Sequence, residues 1–295
     1  MPELPEVETV RRGLNQLTLN QKIIGGDVLL HRTIAHPVAL KEFLNGVSGS
    51  TILTWHRRGK YLLAELTPHS PLPLIPREDS NYPTPSNGWL GVHLRMTGQL
   101  LWLHQEEPLH KHTRVRLFME NDRELRFVDQ RTFGQMWWVP PSIAPETIIT
   151  GLAKLAVDPF SKEFTVDYLA NKLRNSRRPV KTALLDQSVV AGLGNIYADE
   201  ALFLSEILPE APCTDLQREQ IERLRSRIIQ VLETSIEAGG TTFSNFLNVK
   251  GINGNYGGVA WVYNRTGEPC RVCGTAIQRT RLAGRSSHYC IQCQQ

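Results

Sequence analysis

Met1-Pro2-Glu3-Leu4-Pro5-Glu6 begins the sequence, and the residues after it have the spacing of an amphipathic helix. Val7, Val10 and Leu14 fall on one face of a helix predicted over residues 4–16. A proline in the first turn of this helix is favourable, because the N–H groups of that turn have no partner within the helix. The helix is therefore expected to hold the chain terminus against a core and to limit its fraying.

The second residue, Pro2, can act as a nucleophile once Met1 has been removed, as commonly happens when the second residue is small. An α-amino group has a pKa of about 7.7–8.0, so part of it is unprotonated near neutral pH. A secondary amine that attacks a sugar carbon gives a cationic iminium, which is an electron sink for elimination. Glu3 lies next to it and can serve as general acid or base. The alternative is a plain helix start with Pro5 and Glu8 near the helix dipole, which does not account for Pro2-Glu3.

Composition and charge indicate a globular protein of two domains. The 295 residues are 41% hydrophobic, which is enough for two cores. Lys and Arg number 33 against 29 Asp and Glu, and this net charge of +4 permits an acidic partner. No apolar run is long enough to span a membrane, and the first dozen positions do not resemble a signal peptide, so we expect a cytoplasmic protein.

The first half predicts a β-sandwich or barrel that follows the helix. The segments rich in β-branched and aromatic residues are Lys22–Leu30, Ile52–Leu66, Trp89–Leu103, Val115–Met119 and Leu125–Trp138. Asn121-Asp122 predicts a hairpin turn between the last two segments. Residues 67–87 contain six prolines and predict an extended surface loop. A second proline-bearing stretch, residues 140–160, predicts the linker between domains.

From Thr165 onward the pattern becomes helical. Apolar residues share one face at 166, 169 and 173, and Pro179 suits the start of a short helix. Asn195 is predicted to cap a third helix. Thr214 and Gln217 predict a capping box for a long helix, which Gly239-Gly240 would end.

Four cysteines near the end form the most specific motif, Cys270-x2-Cys273 followed after sixteen residues by Cys290-x2-Cys293. This spacing matches a closed tetrahedral zinc site on two knuckles, which contributes folding energy and leaves no open catalytic position. Residues 262–295 carry five arginines and one glutamate, which favours a nucleic-acid element over a purely structural knuckle. The fifth cysteine, Cys213, is expected to be a packed thiol.

Three further motifs each permit two interpretations. Gly192-Leu193-Gly194-Asn195 before a helix can bind phosphate through its N–H groups, or Asn195 can simply cap the helix; nearby Arg and Lys residues favour phosphate. The run Arg57–Lys60 is either a solvated edge or a binding element. Met96 and Phe133, near turns, are either core residues or wedges that fill the gap left by an extruded base.

Together these motifs resemble the formamidopyrimidine-DNA glycosylase family, bifunctional base-excision repair enzymes for oxidised purines such as 8-oxoguanine and formamidopyrimidines. The resemblance covers nearly the whole chain through five ordered motifs, which are Pro2–Glu8, Arg58–Leu62, His93–Met96, Gly192–Ala198 and the four-cysteine hairpin. It implies an α+β fold, with an N-terminal helix plus β-sandwich domain and a C-terminal helical domain bearing a helix-two-turn-helix and a four-cysteine zinc finger. The expected parts are a catalytic domain (1–139), a linker (140–160), the helical DNA-binding domain (161–247), a lesion-capping loop (248–260) and the zinc finger (261–295).

The resemblance also implies the roles of individual residues. Pro2 would form the iminium at the anomeric carbon of the deoxyribose, and Glu3 would donate the proton that opens the sugar. Lys60 would contact phosphate and assist β-elimination. Arg285 would contact the phosphates flanking the lesion and assist δ-elimination, and Asn195 would bind the same backbone. The expected partner is damaged double-stranded DNA near the nucleoid, the cofactor is one structural zinc ion, and the protein is expected to be a monomer without membrane contact.

The remaining implied residues bind the lesion and the DNA around it. Met96, Arg131 and Phe133 correspond to the trio that fills the void, with Arg131 facing the orphaned cytosine. Glu6 and Tyr256 would lie at the lesion pocket.

The sequence departs from the family pattern at several positions. Thr132 replaces an arginine that usually precedes the phenylalanine. Because His112-Thr113-Arg114 replaces a motif with two histidines, only His112 carries over as a DNA contact. Arg177 is a looser match for a phosphate contact, and the proline-rich segment resembles an insertion.

Two other functions remain possible from the sequence. One is an endonuclease VIII-like glycosylase for oxidised pyrimidines, against which Leu4 and the Met96, Arg131 and Phe133 set argue. The other is a zinc-hairpin protein that binds damaged DNA without cleaving it, which a retained Met1 would favour.

Overall fold

Helix α1 and eighteen further helices and strands make up the part of the chain that the structure, a computed structural model, describes: residues 2–67, 87–241 and 247–295. In the first half these are α1 (Leu4–Leu17), β1 (Ile23–Val28), β2 (Ile34–His36), α2 (Leu40–Val47), β3 (Ile52–Arg58), β4 (Tyr61–Leu66), β5 (Gly88–His93), β6 (Gly98–His104), β7 (Thr113–Met119), β8 (Arg123–Asp129) and β9 (Gln135–Val139). Then come α3 (Pro145–Ile148), α4 (Thr150–Ala153), α5 (Val166–Leu173), α6 (Val180–Leu184), α7 (Asn195–Leu204), α8 (Arg218–Glu237), β10 (Gln278–Leu282) and β11 (Arg285–Tyr289). All but residue 67 and residue 87 of the predicted proline-rich loop lies outside the described residues.

The chain divides into two compact units. The first contains residues 1–2, 7–153 and 245–253, and the second contains residues 3–6, 154–244 and 254–295. The division at Ala153 and Lys154 falls within the predicted linker, which also contains the short helices α3 and α4. The predicted lesion-capping loop is divided after Asn253.

In the first unit, two sheets and helix α1 share one hydrophobic core, so the predicted β-sandwich is confirmed. The four-stranded sheet has the order β1-β7-β8-β6, and the five-stranded sheet has the order β2-β9-β5-β4-β3. The predicted apolar face of α1 lies in this core, with Val7, Val10 and Leu14 fully buried. Burial of such a face, rather than intrinsic propensity, is the main source of helix stability in a folded protein.

Several predicted segments of the first half are each divided into two strands. Residues 52–66 form the antiparallel pair β3 and β4, and the strands β5 and β6 from residues 89–103 lie in different sheets. The pattern did not predict strand β2 or helix α2. The turn prediction at Asn121-Asp122 is confirmed: both residues have positive φ, 59° and 56°, as a tight hairpin turn requires.

In the second unit, helices α5 to α8 surround a separate core, to which Leu4 also contributes. Cys213 is 1% exposed in this core, so the packed-thiol prediction is confirmed. The predicted end of α8 is also confirmed, because Gly239 and Gly240 both adopt positive φ. Of the helices that the structure describes, not one is long and apolar enough to cross a membrane.

Two capping predictions are wrong. The N-cap of α7 is Gly194, and Asn195 is the first helical residue, whose side chain is directed elsewhere. The N-cap of α8 is Gln217, whose N–H donates to Gln220 Oε1 at 2.8 Å. Thr214 instead donates to its neighbour Asp215. A short polar side chain favours a cap without fixing which turn it caps, since the preceding chain direction decides that.

Candidate active site, metal centre and nucleic-acid interface

The predicted proton donor Glu3 lies at the N-terminus of helix α7 within the second unit. The side chain is 2% exposed, and its Oε1 accepts a hydrogen bond from the Ile196 N–H at 3.0 Å. A Cβ atom on Gly194 would lie 2.3 Å from the Glu3 carboxyl carbon, so only glycine allows this approach. The positive end of the helix dipole and an unpaired N–H group favour a carboxylate at this position.

Glu6 is fully buried and fixes the backbone of Glu3. Its Oε2 accepts the Glu3 N–H at 2.7 Å, and its Oε1 accepts the Tyr197 hydroxyl at 2.5 Å and the Thr241 N–H at 2.9 Å. The Tyr197 hydroxyl also lies 2.5 Å from the Ser235 hydroxyl. Burial, followed by the charge of Glu3, raises the pKa of Glu6 to about 7 despite these hydrogen bonds. Glu6 thus carries a proton close to neutral pH, in contrast to an ordinary glutamate.

The zinc-finger hairpin is in contact with the phosphate-binding motif of α7. Asn195 Nδ2 lies 3.5 Å from the Ser286 hydroxyl, next to the exposed Arg285 at the start of β11. Lys181, fully buried on α6, donates to the Ser286 carbonyl at 2.5 Å and pairs with Asp199 at 2.6 Å. Burial lowers the pKa of Lys181, and the charge of Arg285 lowers it further, although Asp199 opposes both. Asn195 and Arg285 are therefore brought to one location, together with a buried lysine that the sequence did not single out by role.

Tyr256 is 2% exposed and lies inside the second unit. Its hydroxyl donates to Glu200 Oε2 at 3.2 Å, and its ring centroid lies 5.4 Å from that of Tyr197. Fully buried Glu200 also accepts the N–H groups of residues 261–263 at 2.7–2.9 Å. Burial and the charge of Glu200 raise the pKa of Tyr256 well above its usual value, so this hydroxyl stays protonated. Glu200 joins the predicted capping segment to the chain that enters the zinc finger.

In the first unit, Lys60 occupies the tight turn between β3 and β4. Its residue is 8% exposed, and Gly59 before it has a φ of 56°, which the turn requires. His93 at the end of β5 is opposite Tyr61, the residue after Lys60. Burial and the charges of Arg95 and Lys60 lower the pKa of His93 to about 3, so its imidazole is neutral. Strand register identifies this neighbour of Lys60; a sequence motif alone could not. Pro2 is buried in this unit.

The predicted void-filling residues lie on two turns that hydrogen bonds join. Met96 lies in the turn between β5 and β6, where the next residue, Thr97, donates to Asp129 Oδ1 at 2.5 Å. The same hydroxyl accepts the Arg131 N–H at 2.9 Å. The Arg131 guanidinium lies 5.1 Å from the ring centroid of Phe133, which is 51% exposed. An exposed aromatic ring covered by a guanidinium matches the wedge interpretation and excludes the core interpretation for Phe133.

Two further predicted DNA contacts lie on the surface of their own units. His112 Nδ1 lies 3.2 Å from the Arg114 guanidinium and, with His110 and Lys111, lines a cavity of about 420 Å³. Arg177 is exposed in the loop after α5.

The four predicted metal ligands converge. Their Sγ atoms all lie within 4.8 Å of one another, with Cys270 and Cys293 at 3.8 Å and Cys273 and Cys290 at 3.4 Å. Sulfur ligands about 2.3 Å from a tetrahedral ion lie about 3.8 Å apart, so the donor set fits such an ion. Each knuckle also has backbone N–H groups near sulfur, as when Val272 donates to Cys270 Sγ at 3.4 Å. The cluster can hold one metal ion with no open coordination position.

Three family descriptions match successive parts of the chain. The formamidopyrimidine-DNA glycosylase N-terminal domain matches residues 1–136, and the formamidopyrimidine-DNA glycosylase H2TH domain matches residues 155–246. A zinc finger found in FPG and IleRS matches residues 267–295.

Curated relatives and solved structures match over the full length. Proteins named formamidopyrimidine-DNA glycosylase from Nostoc sp. and Trichodesmium erythraeum are 76% and 60% identical over 294 and 307 residues, with all of each chain covered. The Lactococcus lactis Fpg in complex with DNA containing an abasic site is 33% identical with a TM-score of 0.85, and 99% of each chain is covered. The MutM (FPG) protein of Thermus thermophilus is 34% identical with a TM-score of 0.82, covering 99% of this chain and 98% of that one. The chain therefore belongs to the formamidopyrimidine-DNA glycosylase family.

Proposed function

We propose that this protein is a base-excision repair enzyme that removes oxidised purines, 8-oxoguanine and formamidopyrimidines, from duplex DNA and then nicks the strand. The observation that carries the proposal is the buried Glu3 carboxylate, fixed at the N-terminus of α7 and adjacent in sequence to Pro2. A general acid must be held at a defined position, and Glu3 is held by its own carboxylate and by the Glu6 contact to its backbone. The name shared by the relatives supports the substrate class.

The proposed reaction begins at the amine of Pro2. Its nitrogen attacks the anomeric carbon of the damaged nucleotide, the bond from that carbon to the base breaks, and Glu3 supplies the proton that opens the sugar. The resulting cationic iminium withdraws electrons from the sugar. Loss of a proton from the neighbouring carbon then expels the 3′ phosphate in β-elimination, assisted by Lys60. Arg285 assists the second, δ-elimination, which expels the 5′ phosphate.

DNA binding is proposed to rest on positive groups and apolar wedges. Asn195, Arg285, Arg177 and His112 contact phosphates, which fix the position of the duplex without reading its sequence. Met96, Arg131 and Phe133 fill the gap left by the extruded base, and the ordered contact between their two turns supports this role.

The occupant of the four-cysteine cluster is proposed to be one structural zinc ion, because four thiolates in a closed tetrahedron suit that metal. Zinc would order the hairpin that carries Arg285. The active species is proposed to be a monomer bound to damaged duplex DNA. Glu6 and Tyr256 are proposed to border the lesion, which requires Tyr256 to leave its contact with Glu200.

A substrate panel tests this function against its two rivals. Duplexes containing 8-oxoguanine, a formamidopyrimidine or thymine glycol are each incubated with the protein and borohydride, which traps an iminium as a stable amine. We expect the covalent adduct to form fastest with the two purine lesions. Faster trapping with thymine glycol would indicate an endonuclease VIII-like preference. Binding without any adduct on all three duplexes would indicate a zinc-hairpin binder and would sink the proposal.

A further inference from the structure

Glu8 on helix α1 is the meeting point of three arginines in the first unit. Its Oε1 accepts from Arg11 at 2.7 Å and from Arg12 at 2.9 Å, and its Oε2 accepts from Arg11 at 2.9 Å and from Arg57 at 3.1 Å. The residue is only 7% exposed. A carboxylate with four such donors is fully satisfied, and hydrogen bonds between ionised partners are the strong ones. Glu8 is therefore a fixed point on α1.

Arg57 extends this fixed point to the turn that carries Lys60. Its Nε donates to Glu8, while its Nη1 donates to the Gly59 carbonyl at 3.2 Å. The side chain of Arg57 is 8% exposed, in contrast to that of Arg12 at 56%. A planar guanidinium can hold two acceptors at once in one orientation. The carboxylate on α1 thus fixes the carbonyl immediately before Lys60.

A different contact holds the body of strand β3 against α1. The Asn15 side chain donates to the Trp55 carbonyl at 3.0 Å and accepts the Trp55 N–H at 2.8 Å. These bonds do not involve Glu8. Removal of the Glu8 charge should consequently leave β3 in place and release its last residues and the turn.

We propose that Glu8 is a positioning residue for Lys60, which it holds in place through Arg57 and the carbonyl of Gly59. This inference rests on the proposed function, in which Lys60 assists β-elimination, and deepens it by naming the support of that lysine. An amine that acts on a sugar phosphate must be held within a fraction of an ångström, and the tight turn alone has no side chain that fixes its direction.

The charge state of Glu8 is constant over the range in which the enzyme would work. Burial by itself would raise the pKa of Glu8, but hydrogen bonds from Arg11 and Arg12 and the charges of Arg11 and Arg57 lower it to about 2. The network is therefore fully ionised at neutral pH, and Glu8 itself does not titrate during the reaction.

The test measures β-elimination on a duplex that already contains an abasic site, under single turnover. Glu8→Gln keeps the shape of the side chain but presents an amide N–H₂ to the guanidinium groups. We expect the elimination rate to fall about tenfold, with the affinity for the duplex unchanged within about twofold, because misplacement of an assisting group affects the rate. Arg12→Gln is the matched control, since Arg12 contacts Glu8 without reaching the turn, and it should keep the wild-type rate.

A double-mutant cycle separates positioning from general stability. If Glu8 acts through Lys60, the Glu8→Gln change should alter the rate by less than about twofold once Lys60→Ala is present. Equal losses in both backgrounds would overturn the proposal, as would a wild-type rate for a folded Glu8→Gln variant. If Glu8→Gln does not fold, Arg57→Lys takes its place in the cycle, because a lysine can pair with Glu8 but cannot also hold the Gly59 carbonyl.

These results differ from a failure of the proposed function. Wild-type protein that performs no elimination on the abasic duplex would refute the lyase activity itself. Wild-type elimination together with an additive cycle would refute only the role of Glu8.

Discussion

Gly194 is the residue whose substitution tests the placement of Glu3 most selectively. Its backbone is extended, with φ −138° and ψ −164°, so alanine can adopt the conformation without strain. The added Cβ would lie 2.3 Å from the Glu3 carboxyl carbon and 2.6 Å from both carboxylate oxygens. The perturbation is therefore a steric push on one functional group.

The size of the effect follows from these distances. Ordinary contact begins at 3.4 Å, so the Glu3 carboxylate must move by about 1 Å, and a displacement of that size can lower a rate by about a hundredfold. A hundredfold corresponds to about 2.7 kcal/mol of transition-state stabilisation. The hydrogen bond from the Ile196 N–H is strained by the same movement.

The assay is single-turnover excision from an 8-oxoguanine duplex, with thermal unfolding as a check on the fold. Gly25→Ala on β1 is the control, since its Cβ would meet only Phe118 Cδ2 at 3.9 Å and should leave the rate unchanged. A folded Gly194→Ala variant with the wild-type excision rate would refute the reasoning, because Glu3 could then be moved without consequence.

Three further predictions concern the metal, a buried acid and the two joined turns. Cys290→Ser should lose zinc and duplex binding together, as metal analysis and a binding titration would show, since the ion folds the hairpin; normal zinc content with normal binding would contradict this. The raised pKa of Glu6 means that its contribution to stability is complete below about pH 4.5 and is lost as the pH rises through about 7, so Glu6→Gln should gain about 3 kcal/mol relative to wild type between pH 4 and pH 8 in denaturant unfolding; parallel pH profiles would show that Glu6 does not titrate there. Thr97→Val removes the bonds to Asp129 and Arg131 and should weaken binding of an abasic-site duplex about fivefold, equivalent to one net hydrogen bond of about 1 kcal/mol; unchanged affinity would mean that the turns need no such link.

The sequence predicted those features that depend on local periodicity or on fixed spacing. The buried face of α1, the turn at Asn121-Asp122 and the cluster of four cysteines depend on residues close in sequence, and each is present. Tertiary contacts decided the rest. Asn195 was taken for a cap because of its residue type, but the contact with Ser286 lies 91 residues away and determines its direction.

Buried charge was the least predictable part of the site. Glu6, Glu8 and Glu200 read as ordinary acids in the sequence, whereas each is buried and held by partners up to 235 residues away. Desolvation and pairing arise only in the folded chain, so the pKa of Glu6 rises and that of Glu8 falls from the same starting value. Residues of this kind position catalytic groups without belonging to a recognisable motif.

The identity of the residue that attacks the sugar is the central claim, and peptide mapping of the borohydride-trapped adduct tests it most directly. The protein is trapped on an 8-oxoguanine duplex and digested, and the site of the sugar remnant is located by mass spectrometry. We expect Met1 to be absent and the remnant to lie on the nitrogen of Pro2, with little adduct in Pro2→Gly. A remnant on a lysine, or a protein that retains Met1 and is still trapped, would contradict the account.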